Sequence, residues 1–301
     1  MQHIVLILVS LGIGVCLRLT NRLPDNATKV LGGFVINVAL PAAALHSVQN
    51  LTLTPDWALA AATPWIGAVV AILVIVPICR ALGWPHQRAG ALILLAGWGN
   101  TSFVGLPMIS AFAGSQWMGL GIVIDLFGSY LALSTLGLAV ASVASAGHFD
   151  WRAVVKRIAT FPPFIALIVA LAINRVERPD WFVELTDSLS QTLTPVALVA
   201  VGHALQIRKF GRKLAPLAVG LGYRLVAAPL LLLLIYLGLR QTGDPIAKVA
   251  MLEMAMPPML GASIIALESD LEPELVALAI GVGVLLSMFT AAAWWSLFSS
   301  L

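Results

Sequence analysis

The chain alternates between long apolar stretches and short polar or charged connections. Ten stretches are candidate membrane spans: residues 3–19, 30–48, 58–79, 88–112, 117–145, 160–175, 185–206, 214–239, 246–267 and 274–298. A spanning helix uses roughly 20 apolar residues, and stretches this long without polar alternation leave no solvent-facing stripe. Pro162 and Pro163 shorten the sixth stretch, and Pro64 and Pro77 fall inside the third. Prolines are tolerated in spans because neighbouring helices and water satisfy the freed carbonyls. The first stretch follows no basic leader and no small-residue cleavage site, so it is expected to stay as a membrane helix.

Composition agrees. Of 301 residues, 60% are hydrophobic and 10% charged, against about 25% charged in soluble domains, and the mean hydropathy is +0.97. A soluble globule, a disordered chain, a collagen-like fibre and a secreted disulfide scaffold are excluded. Cys16 and Cys79 both sit at ends of apolar runs, which argues against a structural disulfide or a metal site. The net charge of +3 reports orientation rather than nucleic-acid binding, because the basic residues lie between spans. Twelve of them, Arg18, Arg22, Lys29, Arg80, Arg88, Arg152, Lys156, Arg157, Arg208, Lys209, Arg212 and Lys213, fall in alternate connections; Arg175, Arg178, Arg240 and Lys248 fall in the others. The positive-inside rule puts the twelve in the cytoplasm and both termini outside.

Two features recur about half a chain apart. Pro41, in Asn37-Val-Ala-Leu-Pro41, has a counterpart in Pro195, 154 residues on. The fourth span is interrupted by Gly97-Trp-Gly-Asn100-Thr-Ser-Phe-Val-Gly-Leu-Pro107, and the ninth by Met256-Pro-Pro258-Met-Leu-Gly261. One proline is a kink; matched pairs in corresponding spans point to broken helices. Five spans per half is an odd number, so residues 1–150 and 151–301 form two repeats of opposite orientation. Broken helices in such repeats mark a binding site at the membrane midplane. Asn100 lies about 18 Å into its span at 1.5 Å per residue, and Pro257 at similar depth, so the breaks are expected to cross. Exposed N–H groups at one half-helix start attract an anion, and carbonyls at the other end attract a cation. Asn100, Thr101 and Ser102 add side-chain donors and acceptors, with Met256, Pro257 and Pro258 opposite.

Three ionisable residues lie inside spans: Asp125, Arg224 and Glu253. Each costs roughly 2.5–3.5 kcal/mol to insert. Arg224 either holds one carboxylate in an internal ion pair or meets a substrate carboxylate. One acid is then left without a partner and becomes a candidate for carrying a coupling proton or ion, with Asp125 favoured over Glu253. His46 and His203 read as interfacial groups. Met251, Met254, Met256 and Met259 read as apolar packing, or as an adaptable wall for a hydrophobic substrate. Trp57, Trp84, Trp181, Trp294 and Trp295 suit the interfacial belts, leaving Trp98 beside the first break.

Asn100-Thr-Ser-Phe-Val-Gly-Leu-Pro107, Arg224-Leu-Val-Ala-Ala-Pro229, Ala255-Met-Pro-Pro258, Ala266-Leu-Glu-Ser-Asp-Leu-Glu-Pro273 and Phe34-Val-Ile-Asn-Val-Ala-Leu-Pro41 resemble the auxin efflux carrier family, within the wider bile-acid/sodium symporter group. The resemblance covers essentially the whole chain. It implies an all-α polytopic protein of ten transmembrane helices in two inverted five-helix repeats, with helices four and nine broken and crossing. It also implies a transport bundle and a scaffold bundle, each drawn from both repeats, the scaffold often dimerising. The implied substrate is a small organic anion, an auxin-like aromatic acid or a mono- or dicarboxylate. Asn100 matches the asparagine of the first crossing, Pro257 or Pro258 the proline of the second, and Asp125 the acid of the fifth helix. Relatives often carry a proline where this chain has Gly99, and the long cytosolic loop of the plant carriers is here about a dozen residues around His148–Arg157. A general organic-acid carrier in a bacterial inner membrane therefore fits better than a hormone exporter.

The expected function is an elevator-type secondary transporter. Asn100, Thr101, Ser102, Pro107, Met256, Pro257, Pro258, Asn37, Pro41 and Arg224 are its candidate substrate-binding residues, and Asp125 and Glu253 are the candidates for coupling to Na+ or H+. No other cofactor and no metal site is expected. A passive anion channel and a sodium-coupled, bile-acid-like symporter are the alternatives. A lipid-active enzyme lacks its motifs: neither HExxH nor GxSxG occurs.

Overall fold

The computed structural model describes residues 2–48, 55–145, 149–174, 176–205 and 213–301, with side chains from Val5 onward. Arg175, Arg208, Lys209 and Arg212, counted for orientation, and His148 fall outside the described residues. The helices are α1 (Gln2–Leu19), α2 (Ala27–Ser47), α3 (Pro55–Ala81), α4 (His86–Gly97), α5 (Thr101–Ala113), α6 (Ser115–Ala144), α7 (Trp151–Ala159), α8 (Pro162–Ala172), α9 (Asp180–Gln191), α10 (Leu193–Ala204), α11 (Leu214–Leu239), α12 (Pro245–Met254), α13 (Leu260–Glu268) and α14 (Pro273–Ser300).

Among the described residues, five helices, α2, α3, α6, α11 and α14, are each long and apolar enough to cross a membrane alone, six if the bent pair α7 and α8 is one span. Several other expected spans are divided. The fourth and ninth break at the sites read from Gly97–Pro107 and Met256–Gly261, and the seventh turns at Thr192 between α9 and α10. The sixth, expected over 160–175, differs most. Pro162 opens the eleven-residue α8, and α7 before it is bent away by 57°. With Arg152, Lys156 and Arg157 on one helix beside exposed Trp151 and Val155, α7 has the build of a helix lying in the membrane surface.

Prolines dictate much of the local geometry. A proline at position i lacks an N–H and its ring crowds the carbonyl at i−4. Widened π turns absorb this at Val35–Ala39 before Pro41, Thr101–Gly105 before Pro107 and Tyr223–Ala227 before Pro229. Two freed carbonyls have identifiable replacement donors. Thr63 Oγ1 donates to Ala60 O at 2.8 Å, four residues before Pro64, and Trp294 Nε1 donates to Leu225 O at 2.9 Å, four before Pro229. Trp294, partly buried, is thus an internal donor rather than only a member of an interfacial belt, and Trp57 is buried.

The helices pack as two bundles. In one, α1 lies along α10, and α2 packs on α8, α9 and α10. Gly14 and Gly202 set the α1–α10 approach: a Cβ at Gly14 would lie 2.3 Å from Val199 O, and one at Gly202 2.2 Å from Leu11 O. His203 is buried there against Thr28, Oγ1 to Nδ1 2.9 Å, which corrects its reading as an interfacial group. In the other bundle α3 packs on α4, α6 and α12, and α11, α13 and α14 close around α4 and α12. The bundles meet where α5 leans on α10 and α6 on α2, with the Phe103 ring over Gly32. At one end of the second bundle, Glu272 receives Arg88 Nε at 2.8 Å and the Lys213 ammonium. The starts of α4, α11 and α14 therefore share that end.

Candidate functional site

The two helix breaks meet. Helix α4 stops at Gly97 and Trp98 turns extended, with φ −119° and ψ 123°; helix α12 stops at Met254, and Met259 is extended before α13. Pro257 and Pro258 cannot continue α12, and each pushes the residue before it out of the helical region. The two unwound segments run antiparallel with Gly99 opposite Pro258. Asn100 N donates to Pro257 O at 2.7 Å and Met259 N to Trp98 O at 3.0 Å. This two-bond clasp satisfies backbone groups that would otherwise be stranded in hydrocarbon.

The four half-helix ends at the clasp are dressed differently. Asn100 caps α5, its Oδ1 accepting from Phe103 N at 3.2 Å, while Asn100 Nδ2 and Trp98 Nε1 are buried donors without a hydrogen-bond partner among the described residues. Thr101 and Ser102, in the first turn of α5, both turn their hydroxyls onto Asp125 Oδ1, Ser102 at 2.6 Å. The carbonyl ends of α4 and α12 face Arg224. Its Nη1 lies 3.4 Å from Ala96 O and 3.5 Å from Gly97 O, and its Nη2 donates to Met254 O and lies 3.2 Å from Met254 Sδ.

Glu253, on the last turn of α12, is 2% exposed, and neither carboxyl oxygen has a hydrogen-bond partner among the described residues. Of the two readings of Arg224, the internal ion pair is not formed among the described residues: neither Glu253 nor Asp125 comes within ion-pair distance of it. A cavity of about 10 Å³ lies between Glu253, Arg224, Thr101, Ser129 and Thr63, room for a single water. Room for the carboxyl itself comes from Gly105, where a Cβ would stand 2.2 Å from Glu253 Oε2.

Of the residues singled out in the sequence, Asn100, Thr101, Ser102, Asp125, Arg224, Glu253, Pro257 and Pro258 gather around the crossing. Met256 is buried beside it, and Pro107 is buried in α5. Asn37 and Pro41 do not join them. They lie on α2 in the other bundle, and Asn37 is exposed with Nδ2 bonded to Gly33 O of its own helix at 2.7 Å. The sequence reading did not single out Thr63, Gly105, Ser129 or Tyr223. Tyr223 donates its hydroxyl to Gly67 O at 2.7 Å, tying α11 to α3 beside Arg224. Thr63 carried a signal in preceding Pro64, and Gly105 in sitting inside the first break. An apolar groove of about 410 Å³, with walls from Trp57, Trp65, Val123 and Phe127, runs along the same α3–α6 pair.

The sequence model of a family described as membrane transport protein matches the chain twice, over residues 1–151 and 149–295. The chain belongs to this auxin efflux carrier-like family. It is similar to an uncharacterized transporter of Methanothermobacter thermautotrophicus, 25% identical over 302 residues that cover 97% of this chain and 96% of the relative. An uncharacterized transporter of Methanocaldococcus jannaschii is 24% identical over 229 residues, 70% of this chain and 71% of that one. Membership of this family makes the protein a multi-pass membrane transporter, and the crossing is then the place in it where polar chemistry is concentrated.

Proposed function

We propose that the protein is a secondary transporter that carries a small organic anion across the membrane, the crossing of α4/α5 with α12/α13 being its substrate site. The observation that carries this reading is the clasp itself. It concentrates half-helix ends and two buried donors without a partner among the described residues, Asn100 Nδ2 and Trp98 Nε1, in the interior of an apolar bundle, where unsatisfied polar groups are costly. The positive end of the α5 dipole and these donors suit a carboxylate. Asn100, Thr101, Ser102 and the backbone at Pro257 and Pro258 are the proposed contacts. The groove walled by Trp57, Trp65 and Phe127 favours a monocarboxylate with an apolar body over a dicarboxylate.

The reading continues to an inverted pair of five-helix halves, 1–150 and 151–301, supported by the twofold match to the family. It extends to a bacterial inner membrane as the location and to an orientation with both termini outside, the orientation supported by the distribution of lysine and arginine. A sliding, elevator-type motion is supported by the division into two bundles with the crossing held by one of them. A homodimer would form through the other bundle. Glu253, whose carboxyl has no hydrogen-bond partner among the described residues, joins Asp125 as a carrier of a coupling proton.

A thermal-shift screen of purified protein against aromatic, aliphatic and dicarboxylic acids tests the site. A ligand that binds the native state raises its apparent stability by mass action. The expected result is a saturable rise with apolar monocarboxylates that Asn100→Ala abolishes. An equal rise in Asn100→Ala would remove the site from the crossing.

A further inference from the structure

We infer that Arg224 is a resident cation of the crossing, standing where a carrier of this architecture would hold a sodium ion, so that the coupling ion of this protein is not sodium bound at the clasp. This rests on the carrier reading for its consequence, but the site itself is argued from geometry alone.

Two half-helix C-termini inside a membrane concentrate negative potential, because the last carbonyls of each helix lack intrahelical donors. In inverted-repeat transporters these carbonyls and unwound backbone coordinate the coupling cation. Here the same oxygens are taken. The guanidinium of Arg224 reaches Ala96 O and Gly97 O at the end of α4 and Met254 O at the end of α12, so one side chain serves both half-helices at once. A planar fork with five N–H donors does this with separate nitrogens. Its charge is permanent under physiological conditions, and among the described residues no carboxylate lies within ion-pair distance to cancel it. The carbonyl ends are therefore its counter-charge.

The surroundings are shaped for the guanidinium. Arg224 sits in the widened turn before Pro229, and its neighbour Tyr223 anchors that turn to Gly67 O of α3. Gly99 leaves the space in front of it: a Cβ there would meet Arg224 Cζ and Nη2 at 3.4 Å and Glu253 O at 3.3 Å. A sodium ion placed on these carbonyls would occupy the position of the guanidinium nitrogens. The neighbouring cavity of about 10 Å³ has room for a water, and any second cation in it would face a fixed positive charge.

The test is the melting midpoint of the purified full-length protein between zero and high sodium chloride, with choline chloride holding ionic strength constant. Wild type is expected to be indifferent to sodium. Arg224→Gln, which uncovers the carbonyl ends, is expected to melt lower in choline and to recover saturably as sodium is added, by the mass-action relation for a ligand of the native state. Arg224→Lys, which keeps the charge, is expected to stay sodium-indifferent. A saturable sodium-dependent rise in wild type or in Arg224→Lys overturns the inference, as does an Arg224→Gln protein that folds and ignores sodium. If Arg224→Gln does not fold, the wild-type and lysine curves decide by themselves. The melt involves no substrate and no transport, so a failure of the anion screen above would strike the carrier reading and leave this result standing.

Discussion

Gly105→Ala offers a sharp test of how the crossing is packed, because the sign of its effect depends on one neighbour. In a helix, replacing glycine by alanine ordinarily stabilises by about 0.5–1 kcal/mol. At this position the new methyl would stand 2.2 Å from Glu253 Oε2, 2.6 Å from Oε1 and 2.7 Å from Cδ, far inside van der Waals contact. The Glu253 carboxyl would have to retreat, and its surroundings are tight: a Cβ built at Gly121 would already lie 3.7 Å from Oε1, and the cavity toward Thr101 and Ser129 holds no more than about one water. Overpacking of this kind costs about 1–3 kcal/mol, which exceeds the helix gain. Gly105→Ala should therefore destabilise the wild type by about 1–2 kcal/mol. In a Glu253→Ala background the obstacle is gone, and the same substitution should become neutral or stabilising. The measurement is the unfolding free energy of four proteins in mixed micelles, arranged as a double-mutant cycle. Equal effects of Gly105→Ala with and without Glu253 would refute the assignment of this glycine to the carboxyl pocket.

Three further outcomes follow from contacts around the same bundle. Tyr223→Phe removes the hydroxyl bonded to Gly67 O and should lower the unfolding free energy by about 0.5–1.5 kcal/mol, the ordinary net worth of such a bond. Asp125→Asn keeps an oxygen to accept from Thr101 and Ser102 and should fold nearly as wild type, while Asp125→Ala strands both hydroxyls and should lose about 1–3 kcal/mol; if Asp125 carries the coupling proton, the Asn variant also loses the pH dependence of uptake. Burial pushes the Glu272 carboxyl up, but hydrogen bonds from Lys213 and Arg88 and their charges outweigh it and hold the group below the usual glutamate range. Its stabilising contribution is therefore present above the unfolded-state pKa and lost as pH falls through the lower folded value, so chemical denaturation should find Glu272→Gln less stable than wild type at neutral pH and equal to it in strong acid.

Much of the site was legible because membrane helices announce their interruptions. Pro257 and Pro258 in one apolar run, and Gly97 through Pro107 in another, locate the breaks at matching depth, and depth was enough to expect that they meet. The partners of Arg224 were not legible. An arginine between two carboxylates in sequence suggests an ion pair, whereas the fold turns it onto carbonyls that exist as acceptors only because α4 and α12 end there. The same applies to Glu253, whose isolation depends on two glycines, Gly105 and Gly121, making space on helices distant in sequence. In the sixth stretch, hydropathy and the two prolines locate the apolar α8, but the angle at which the amphipathic α7 precedes it is set by the bend at Pro162 and is not visible in hydropathy. Asn37 matched a motif, yet its amide is engaged with its own helix at Gly33, a local bond that residue spacing does not reveal.

If the clasp between Trp98–Asn100 and Pro257–Met259 is the substrate site of an anion carrier, transport needs Asn100 and does not need Asn37. Uptake of a radiolabelled apolar monocarboxylate into proteoliposomes tests it most directly, measured for wild type, Asn100→Ala and Asn37→Ala. Saturable uptake is expected of wild type, lost in Asn100→Ala and retained in Asn37→Ala, whose side chain lies in the other bundle. Undiminished uptake by Asn100→Ala would contradict the assignment of the site to the clasp.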